Sequence, residues 1–184
     1  MQGPRPWDGG RLEQVELLRV ALGDPEVIPL LVGLRQEYAE RYGPGDAADD
    51  VPASEFDPPG GAFLVLLDDG VTVAGGGIRR FDDETGEIKR MWTNPDYRRQ
   101  GHAVSMIAAL EDVARKLGYR RVLLETGHAQ PEALALYRRL GFREIGNYGH
   151  YESATGFERV LIEEVTDGSG SGRRRRAPTE PAGP

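Results

Sequence analysis

Apolar residues along this chain follow two different spacings, and their alternation predicts a mixed fold of strands and helices. Short apolar runs bounded by Gly, Pro and Asp predict strands at 14–22, Ala62–Leu67, Val71–Ile78 and Glu87–Thr93. The turns between the last three runs are short, which favours an antiparallel meander. The glycine run Gly75–Gly77 lies inside a strand and therefore predicts a bulge or a close backbone approach rather than a phosphate loop.

Helical spacing dominates the second half of the chain. One helix face is predicted from Gly101 to Leu117, where apolar residues step by three or four at Ala103, Ile107, Leu110, Ala114 and Leu117. Gly118 should end it. A further helix is predicted over Pro131–Leu140, with its inward positions at Ala133, Leu136, Tyr137 and Leu140. The remaining apolar runs predict strands at Arg121–Thr126, Phe142–Ile145 and Phe157–Glu163.

The early helical segment carries its own start and break signals. Asp24 and Pro25 are a capping residue followed by a proline, which predicts a helix start. We expect Pro29 and Gly33 to divide the segment up to Tyr42 into two short helices, followed by a loop over 43–60. The element order predicts an α/β (α+β) domain, a mixed sheet with helices on its faces.

Composition narrows the class of protein. The chain has 184 residues and a formal charge of −7, which predicts one domain over 11–165 between a flexible N-terminus, 1–10, and a disordered Gly/Ser/Arg/Pro tail, 166–184. No apolar run is long enough to cross a membrane and no secretory leader is visible, so we expect a cytoplasmic protein. The acidic body disfavours nucleic acid and membranes as partners, and the arginine run at 173–176 predicts a solvated segment.

The residue types available for catalysis are restricted. The chain has no cysteine, which excludes a thiol nucleophile, a disulfide and a thiolate zinc site. Its three histidines lack the spacing of metal ligands. We therefore expect no metal, and any acyl transfer should proceed by direct attack of the acceptor.

One segment, Met91–Ala103, has the pattern of a phosphate site. A strand ends there, a proline turn follows, and a helix begins at Gly101. The first amides of a helix lack internal acceptors, small residues let an anion approach them, and Arg98 and Arg99 add positive charge. A P-loop needs Gly-Lys-Ser/Thr and a dinucleotide fingerprint needs three spaced glycines, and this segment has neither. The pattern therefore predicts a diphosphate-binding turn.

Two blocks of the chain resemble motifs of the GNAT superfamily of N-acetyltransferases. Arg98-x-x-Gly101-x-Ala103 is similar to its Q/R-x-x-G-x-G/A signature for the CoA diphosphate, and Gln130 to Phe142 is similar to its later motif N/Q-x-x-A-x-x-L-Y-x-x-x-G-F. The resemblance covers about residues 14–163. It implies a mostly antiparallel sheet of about seven strands, helices on both faces, a splay between the fourth and fifth strands, and acetyl-CoA as cosubstrate.

The resemblance also implies a set of site residues. The pantetheine arm would lie along the end of the fourth strand and reach Gln130, which stands where asparagine is more usual. Thr93 stands where valine is more usual, a change that backbone contacts tolerate. Tyr137 would donate a proton to the thioester sulfur. The implied cofactor-binding residues are Met91, Trp92, Thr93, Arg98, Arg99, Gln100, Gly101, His102, Ala103, Gln130 and Tyr137.

Acetyl transfer to an amine requires a base and an oxyanion donor. An ammonium has no lone pair, so a base or a water relay must first remove a proton, and a free strand N–H near Met91 would stabilise the oxyanion. We select Glu87 as the base, because relatives often carry a glutamate on this strand. Glu125 on the neighbouring strand is the alternative.

The acceptor is less defined than the cofactor. We expect a primary amine on a small molecule, an amino acid or a peptide N-terminus, in a pocket to which Tyr38, Tyr42 and the segment Tyr148–Glu152 contribute. The resemblance implies a homodimer. The alternative function is a catalytically inactive acetyl-CoA-binding sensor or interaction module, which would need the diphosphate turn but not Tyr137.

Overall fold

The computed structural model describes residues 15–43, 51–149 and 153–161. In chain order its strands and longer helices are β1 (Val15–Val20), α1 (Ile28–Tyr42), β2 (Ala62–Asp68), β3 (Val71–Arg80), β4 (Thr85–Thr93), α2 (His102–Lys116), β5 (Arg121–Gly127), α3 (Pro131–Arg139), β6 (Arg143–Ile145) and β7 (Ala154–Val160). The predictions of a flexible N-terminus and a disordered tail lie outside the described residues. Among the described helices, none has the length and apolar character needed to cross a membrane.

A single sheet of seven strands organises the described residues, in the order β1-β2-β3-β4-β5-β7-β6. The first four strands form the predicted antiparallel meander. Its β2–β3 turn uses Asp69 and Gly70, both with positive φ, which matches the right-handed twist of the hairpin. Strands β5, β7 and β6 also pair antiparallel. The predicted mixed, mostly antiparallel α/β architecture is confirmed.

The sheet opens between its fourth and fifth strands. Only Thr85–Glu87 of β4 pairs with β5, in parallel, opposite Arg121–Leu123. Both strands continue past this pairing, β4 to Thr93 and β5 to Gly127. Beyond Glu87 their backbones diverge, so the facing edges keep peptide groups that the sheet ladder does not use. The predicted splay is confirmed, and it opens a cleft toward the C-terminal ends of both strands.

Helix α1 corrects the prediction of two short helices. It runs unbroken from Ile28 to Tyr42, because Pro29 lies in the first turn, where its missing N–H costs nothing. Gly33 continues the helix because it packs against Trp92 of β4. A Cβ at Gly33 would lie 2.4 Å from the indole Nε1. This glycine therefore reflects close packing and not a helix break.

The N-terminal approach to α1 also differs from the sequence prediction. A short 3-10 helix, Pro25–Val27, precedes α1, and the carboxylate of Asp24 accepts from the backbone N of Ala21 at 2.8 Å instead of capping the helix. The predicted loop over 43–60 includes a second 3-10 helix, Ala53–Phe56.

Two apolar cores lie on opposite faces of the sheet. Helix α1 and the 3-10 helix before β2 cover one face, where the buried residues are Val27, Leu30, Leu34, Phe56, Phe63, Val65, Leu67 and Trp92. Helices α2 and α3 cover the other, where Met106, Ile107, Leu110, Ala114 and Tyr137 pack on strand residues such as Ile78 and Phe157. Helices thus lie on both faces, as predicted.

The inward faces of the later elements are shifted from their predicted positions. In α2, Met106 is fully buried, whereas Ala103 and Leu117 are half-buried. In α3 only Tyr137 is fully buried, and the other predicted inward residues pack around it. Strand β7 begins three residues before the predicted Phe157, because it pairs with β5 as far as Gly127. Gly118 and Gly141 follow the two helices with positive φ, as expected for their C-terminal caps.

Candidate active site

A β-bulge shapes the cleft wall formed by β4. The register with β3 passes from Gly75–Trp92 to Gly77–Lys89, so β4 carries one extra residue there. Arg90 lies in this bulge and adopts a positive φ of 56°. A Cβ at Gly76 would lie 2.6 Å from Met91 Sδ. The prediction that the glycine run marks a bulge and a close approach is confirmed.

The three predicted strand residues at the end of β4 have different environments. Met91 lines the cleft. The Trp92 side chain lies in the core beneath α1, against Gly33. The Thr93 carbonyl accepts from Arg98 Nε at 3.3 Å, which ties the following turn to the end of the strand.

The predicted diphosphate turn has the geometry of an anion site. Gly101 precedes α2 with φ of 91°, and no side chain of the described residues caps the helix. The first backbone bond of the helix runs from Ser105 N to Gly101 O at 3.0 Å, which leaves the amides of 102–104 without helical acceptors. Arg99 also has positive φ, 64°, a left-handed conformation of the kind found in backbone anion-binding turns.

The side chains of this turn contribute unequally. Arg98 bridges to Glu37 of α1 at 3.0 Å, so its charge is shared with a carboxylate. Arg99 and Gln100 are exposed, Ala103 is half-buried, and His102 is buried beside Tyr97. The turn therefore offers mainly backbone amides, with arginine charge around them.

The cleft between β4 and β5 collects the other predicted groups. Its walls include Ile88, Lys89, Arg90 and Met91 from β4, Leu124 to Gly127 from β5, and Tyr38, Tyr42, Gln130, Tyr137, Ser153 and Ala154. Gln130 begins the turn into α3, and its Oε1 accepts from Thr126 Oγ1 at 2.7 Å, which orients the amide.

Tyr137 is held by aromatic packing. Its ring lies 5.4 Å from that of Phe157 and 5.8 Å from that of Phe142, centroid to centroid. Burial raises the pKa of its hydroxyl above the ordinary value of 10. The phenol therefore stays protonated through the neutral and alkaline range, the state that a proton donor requires.

Glu87 is buried in an ion-pair network, with 2% of its side chain exposed. Arg79, its partner across the β3–β4 ladder, donates from Nε to Glu87 Oε2 at 2.7 Å. Lys89 Nζ lies 3.4 Å from Oε1, and the Tyr148 hydroxyl donates to the same oxygen at 3.1 Å. Glu87 is not among the cleft-lining residues.

Glu125, the alternative base, lines the cleft directly. Its Oε1 accepts from Lys89 Nζ at 3.1 Å. Its Oε2 is buried and has no hydrogen-bond partner within the described part of the chain. Lys89 thus lies between two carboxylates, one facing the cleft and one behind it.

Sequence reasoning missed Lys89 and Arg79. The signal for Lys89 was its position two residues from Glu87 on one strand, which puts both side chains on the same face. Tyr148 was expected in the acceptor pocket and instead contacts Glu87. The neighbouring residues 150–152 lie outside the described residues. Within the described ranges, no group of three or more His, Asp or Glu side chains is arranged to hold a metal ion.

Comparison with known proteins identifies the class. Residues 31–142 match the acetyltransferase (GNAT) family, and the chain therefore belongs to this family and is an acyltransferase. It is 34% identical over 127 residues to an IAA acetyltransferase of Azospirillum brasilense, covering 68% of this chain and 82% of that one. It is 30% identical over 146 residues to YjgM, an uncharacterized N-acetyltransferase of Escherichia coli, covering 73% and 87%.

A solved structure shares the fold. The PaiA N-acetyltransferase of Thermoplasma acidophilum, in complex with coenzyme A, superimposes with a TM-score of 0.62 at 14% identity, covering 79% of this chain and 98% of that one. At this identity the likeness concerns the architecture alone.

Proposed function

We propose that this protein transfers the acetyl group of acetyl-CoA to a primary amine by direct attack in a ternary complex. The observation that carries the proposal is the opening between β4 and β5. A phenol, Tyr137, and a carboxylate, Glu125, line one cleft there. The β4 wall of that cleft leads into the uncapped N-terminus of α2. These are the parts that a thioester, a diphosphate and an amine require.

The cofactor fits this arrangement. The amides of the turn at 98–103 would hold the diphosphate, since no other group of the described chain uses those at 102–104. The unpaired edge of β4 near Met91 and the oriented amide of Gln130 would hold the pantetheine arm. The PaiA relative was solved with coenzyme A, which supports a CoA ligand for the shared fold.

The proposed reaction begins at the ammonium group of the acceptor. A base takes one proton from the acceptor ammonium, and the amine lone pair forms a bond to the thioester carbonyl carbon. A backbone N–H of the β4 bulge stabilises the negative oxygen. As the carbon–sulfur bond breaks, Tyr137 gives its proton to sulfur and later recovers one from solvent. The nitrogen loses its second proton, so an amide, CoA thiol and one net proton result.

For the base we propose Glu125 as the group nearest the acceptor. Glu125 lines the cleft, whereas the sequence-preferred Glu87 is held by Arg79, Lys89 and Tyr148 behind it. Glu87 then acts as the counter-charge that fixes Lys89. The acceptor remains any primary amine of a small molecule, an amino acid or a peptide N-terminus. The homodimer and the cytoplasmic location stay predictions.

The test is free-thiol release from acetyl-CoA across a panel of amines. Tyr137→Phe should lower kcat by about 100-fold, because general-acid catalysis typically contributes 10²–10⁴. Acetyl-CoA affinity, measured by calorimetry, should change little. Since burial raises the pKa of Tyr137, the wild-type rate should rise with pH as the amine loses its proton and should show no alkaline decline below about pH 10.

Tyr119→Phe is the matched control, because Tyr119 is a buried tyrosine whose hydroxyl donates to Gly60 O away from the cleft. It should keep full activity. Clear acetyl-CoA binding without thiol release from any amine would favour the sensor alternative. An unchanged Tyr137→Phe rate would remove the phenol from the mechanism.

A further inference from the structure

The carboxylate of Glu125 is held by main chain as well as by Lys89. Its Oε1 accepts from Lys89 Nζ at 3.1 Å, whereas Oε2 is buried and has no hydrogen-bond partner in the described part of the chain. A Cβ added at Gly149 would lie 2.2 Å from Oε2 and 2.6 Å from Oε1. The connection that follows β6 therefore packs directly on the cleft-lining carboxylate, and it does so at a residue without a side chain.

The neighbouring Tyr148 anchors this segment. Its hydroxyl donates to Glu87 Oε1 at 3.1 Å, and its ring lies edge to face with that of Phe81, with centroids 5.6 Å apart. The ring also packs against Gly156 of β7, where a Cβ would lie 2.9 Å from Tyr148 Cδ1. Tyr148 and Gly149, which we call the strap, are thus tied to β4, to the β3–β4 turn and to β7.

The sheet register explains why the strap meets Glu125. Gly156 of β7 pairs with Glu125 of β5, and Glu87 of β4 pairs with Leu123, two residues before Glu125. Paired residues, and residues two apart on one strand, lie on the same face of a sheet. The groups that the strap contacts on three strands therefore share one face, and the strap crosses that face at Glu125.

Gly149 is a glycine because of what lies beneath it. Its φ is outside the left-handed region, so the backbone conformation does not require glycine. The residue is exposed, and the atoms that a Cβ would meet first are the carboxylate atoms of Glu125. At Gly146, in the same connection, a Cβ would meet no atom within 4 Å. The exclusion of a side chain is therefore specific to the position over Glu125.

We propose that Gly149 is a positioning residue for acetyl transfer. Its main chain packs on Oε2 and keeps the Glu125 carboxylate against Lys89, so that Oε1 is the oxygen that meets the acceptor ammonium. Tyr148 fixes that main chain from Glu87. This inference rests on the proposed role of Glu125 as the base. A base aligned in advance matters because a misplacement of about 1 Å can cost about 100-fold in rate.

The test is Gly149→Ala, assayed by thiol release from acetyl-CoA with phenylethylamine, phenylalanine and trialanine as the amines. The new Cβ meets the end of a flexible side chain, so the carboxylate should turn away while the backbone stays. We expect kcat to fall about 10- to 100-fold, by a similar factor with each amine that is accepted. The Kd for acetyl-CoA and the Tm should change little. A large fall in Tm would show that the backbone yields instead, and would contradict the proposal.

Gly146→Ala is the matched control, because it adds the same methyl group to the same connection where the space is open. It should keep the wild-type kcat. Equal losses of kcat in the two variants would mean that the connection tolerates no side chain anywhere, and Gly149 would then have no special relation to Glu125.

The decisive measurement combines Gly149→Ala with Glu125→Asp. Aspartate is one methylene shorter, which makes room for the new Cβ. If Gly149 acts through Glu125, adding Gly149→Ala to Glu125→Asp should lower kcat by less than about threefold, a non-additivity typical of residues in contact. The same factor in both backgrounds would show that the two residues act independently, which overturns the proposal.

A crystal structure of Gly149→Ala tests the positioning without an activity. The distance from Lys89 Nζ to Glu125 Oε1, 3.1 Å in the wild type, should lengthen past the ion-pair limit of about 4 Å, and an unchanged distance would contradict the proposal. The levels of inference fail separately. Absence of thiol release with every amine refutes acetyl transfer, and a full rate in Glu125→Gln refutes the base. A full rate in Gly149→Ala refutes only the positioning.

Discussion

The two regions of the candidate site, the turn before α2 and the cleft beside β5, offer different kinds of groups to a ligand. At the α2 end, the candidate site is made of backbone amides in an exposed turn. The shape of this turn depends on positive φ at Arg99 and Gly101. At the β5 end it is made of side-chain charges, buried and interdependent, around Lys89. A backbone site is local to a short segment and tolerates changes in most side chains. A side-chain network is distributed over several elements, and removal of one member affects the others.

The largest effect on stability is expected at Lys89, in the side-chain network. Lys89→Met leaves Glu87 and Glu125 buried without the ammonium between them, and breaking such a pair costs about 3–5 kcal/mol of unfolding free energy. Chemical denaturation measures the loss.

The chain's other lysine, Lys116, is exposed on α2. Lys116→Met should change stability by less than about 0.5 kcal/mol. Equal losses of unfolding free energy in the two variants would mean that the buried lysine contributes no more than an exposed one. The contrast between the backbone turn and the side-chain network would then fail.

An intermediate effect is expected at the backbone end. Gly101→Ala introduces a side chain where φ is 91°, at a cost of about 1–2 kcal/mol. The strained turn should relax, so the Kd for acetyl-CoA should rise about tenfold, one decade for each 1.4 kcal/mol. Calorimetric titration measures the affinity, and thermal unfolding measures the stability.

Gly118 offers a matched control at the other end of α2. Its φ is 88°, and a Cβ added at Gly118, like one added at Gly101, would meet no other atom of the described chain within 4 Å. Gly118→Ala should cost a similar free energy of unfolding while leaving the acetyl-CoA Kd unchanged. A matching loss of affinity would show that helix stability, and not the turn, governs binding.

The smallest effect is a difference in salt response. Screening shortens from about 10 Å at 0.1 M to about 3 Å at 1 M salt. The affinity of the exposed turn for acetyl-CoA should therefore fall several-fold over this range. The loss of unfolding free energy caused by Lys89→Met, set by buried charges, should change much less, because buried pairs are screened less than exposed ones. A loss that falls as steeply as the affinity would mean that these charges are screened like surface charges.

Local patterns accounted for the parts of the molecule in which neighbours in sequence are neighbours in space. The amphipathic period of α2, the turn at 98–103 and the inward position of Tyr137 all follow from spacing within one segment. The continuous α1 did not, because Gly33 packs on Trp92, a residue far along the chain. No property of the segment around Gly33 distinguishes a packing glycine from a breaking one.

The acceptor end depends on two tertiary facts. The β3–β4 register puts Arg79 opposite Glu87, and the splay brings Lys89 within 3.1 Å of Glu125, 36 residues away. The sequence preferred Glu87 over Glu125 only through the family resemblance, and the spacing of residues did not rank them, since both lie on strands that flank the opening.

The sequence by itself determined the family, the candidate diphosphate turn and the order of strands and helices, because these depend on short-range periodicity and on backbone conformation at a few small residues. Only the tertiary structure decided which carboxylate lines the cleft and which is fixed behind it by Arg79, Lys89 and Tyr148. The physical reason is that electrostatic coupling depends on distances between groups remote in sequence, and those distances exist only once the strands have paired and diverged.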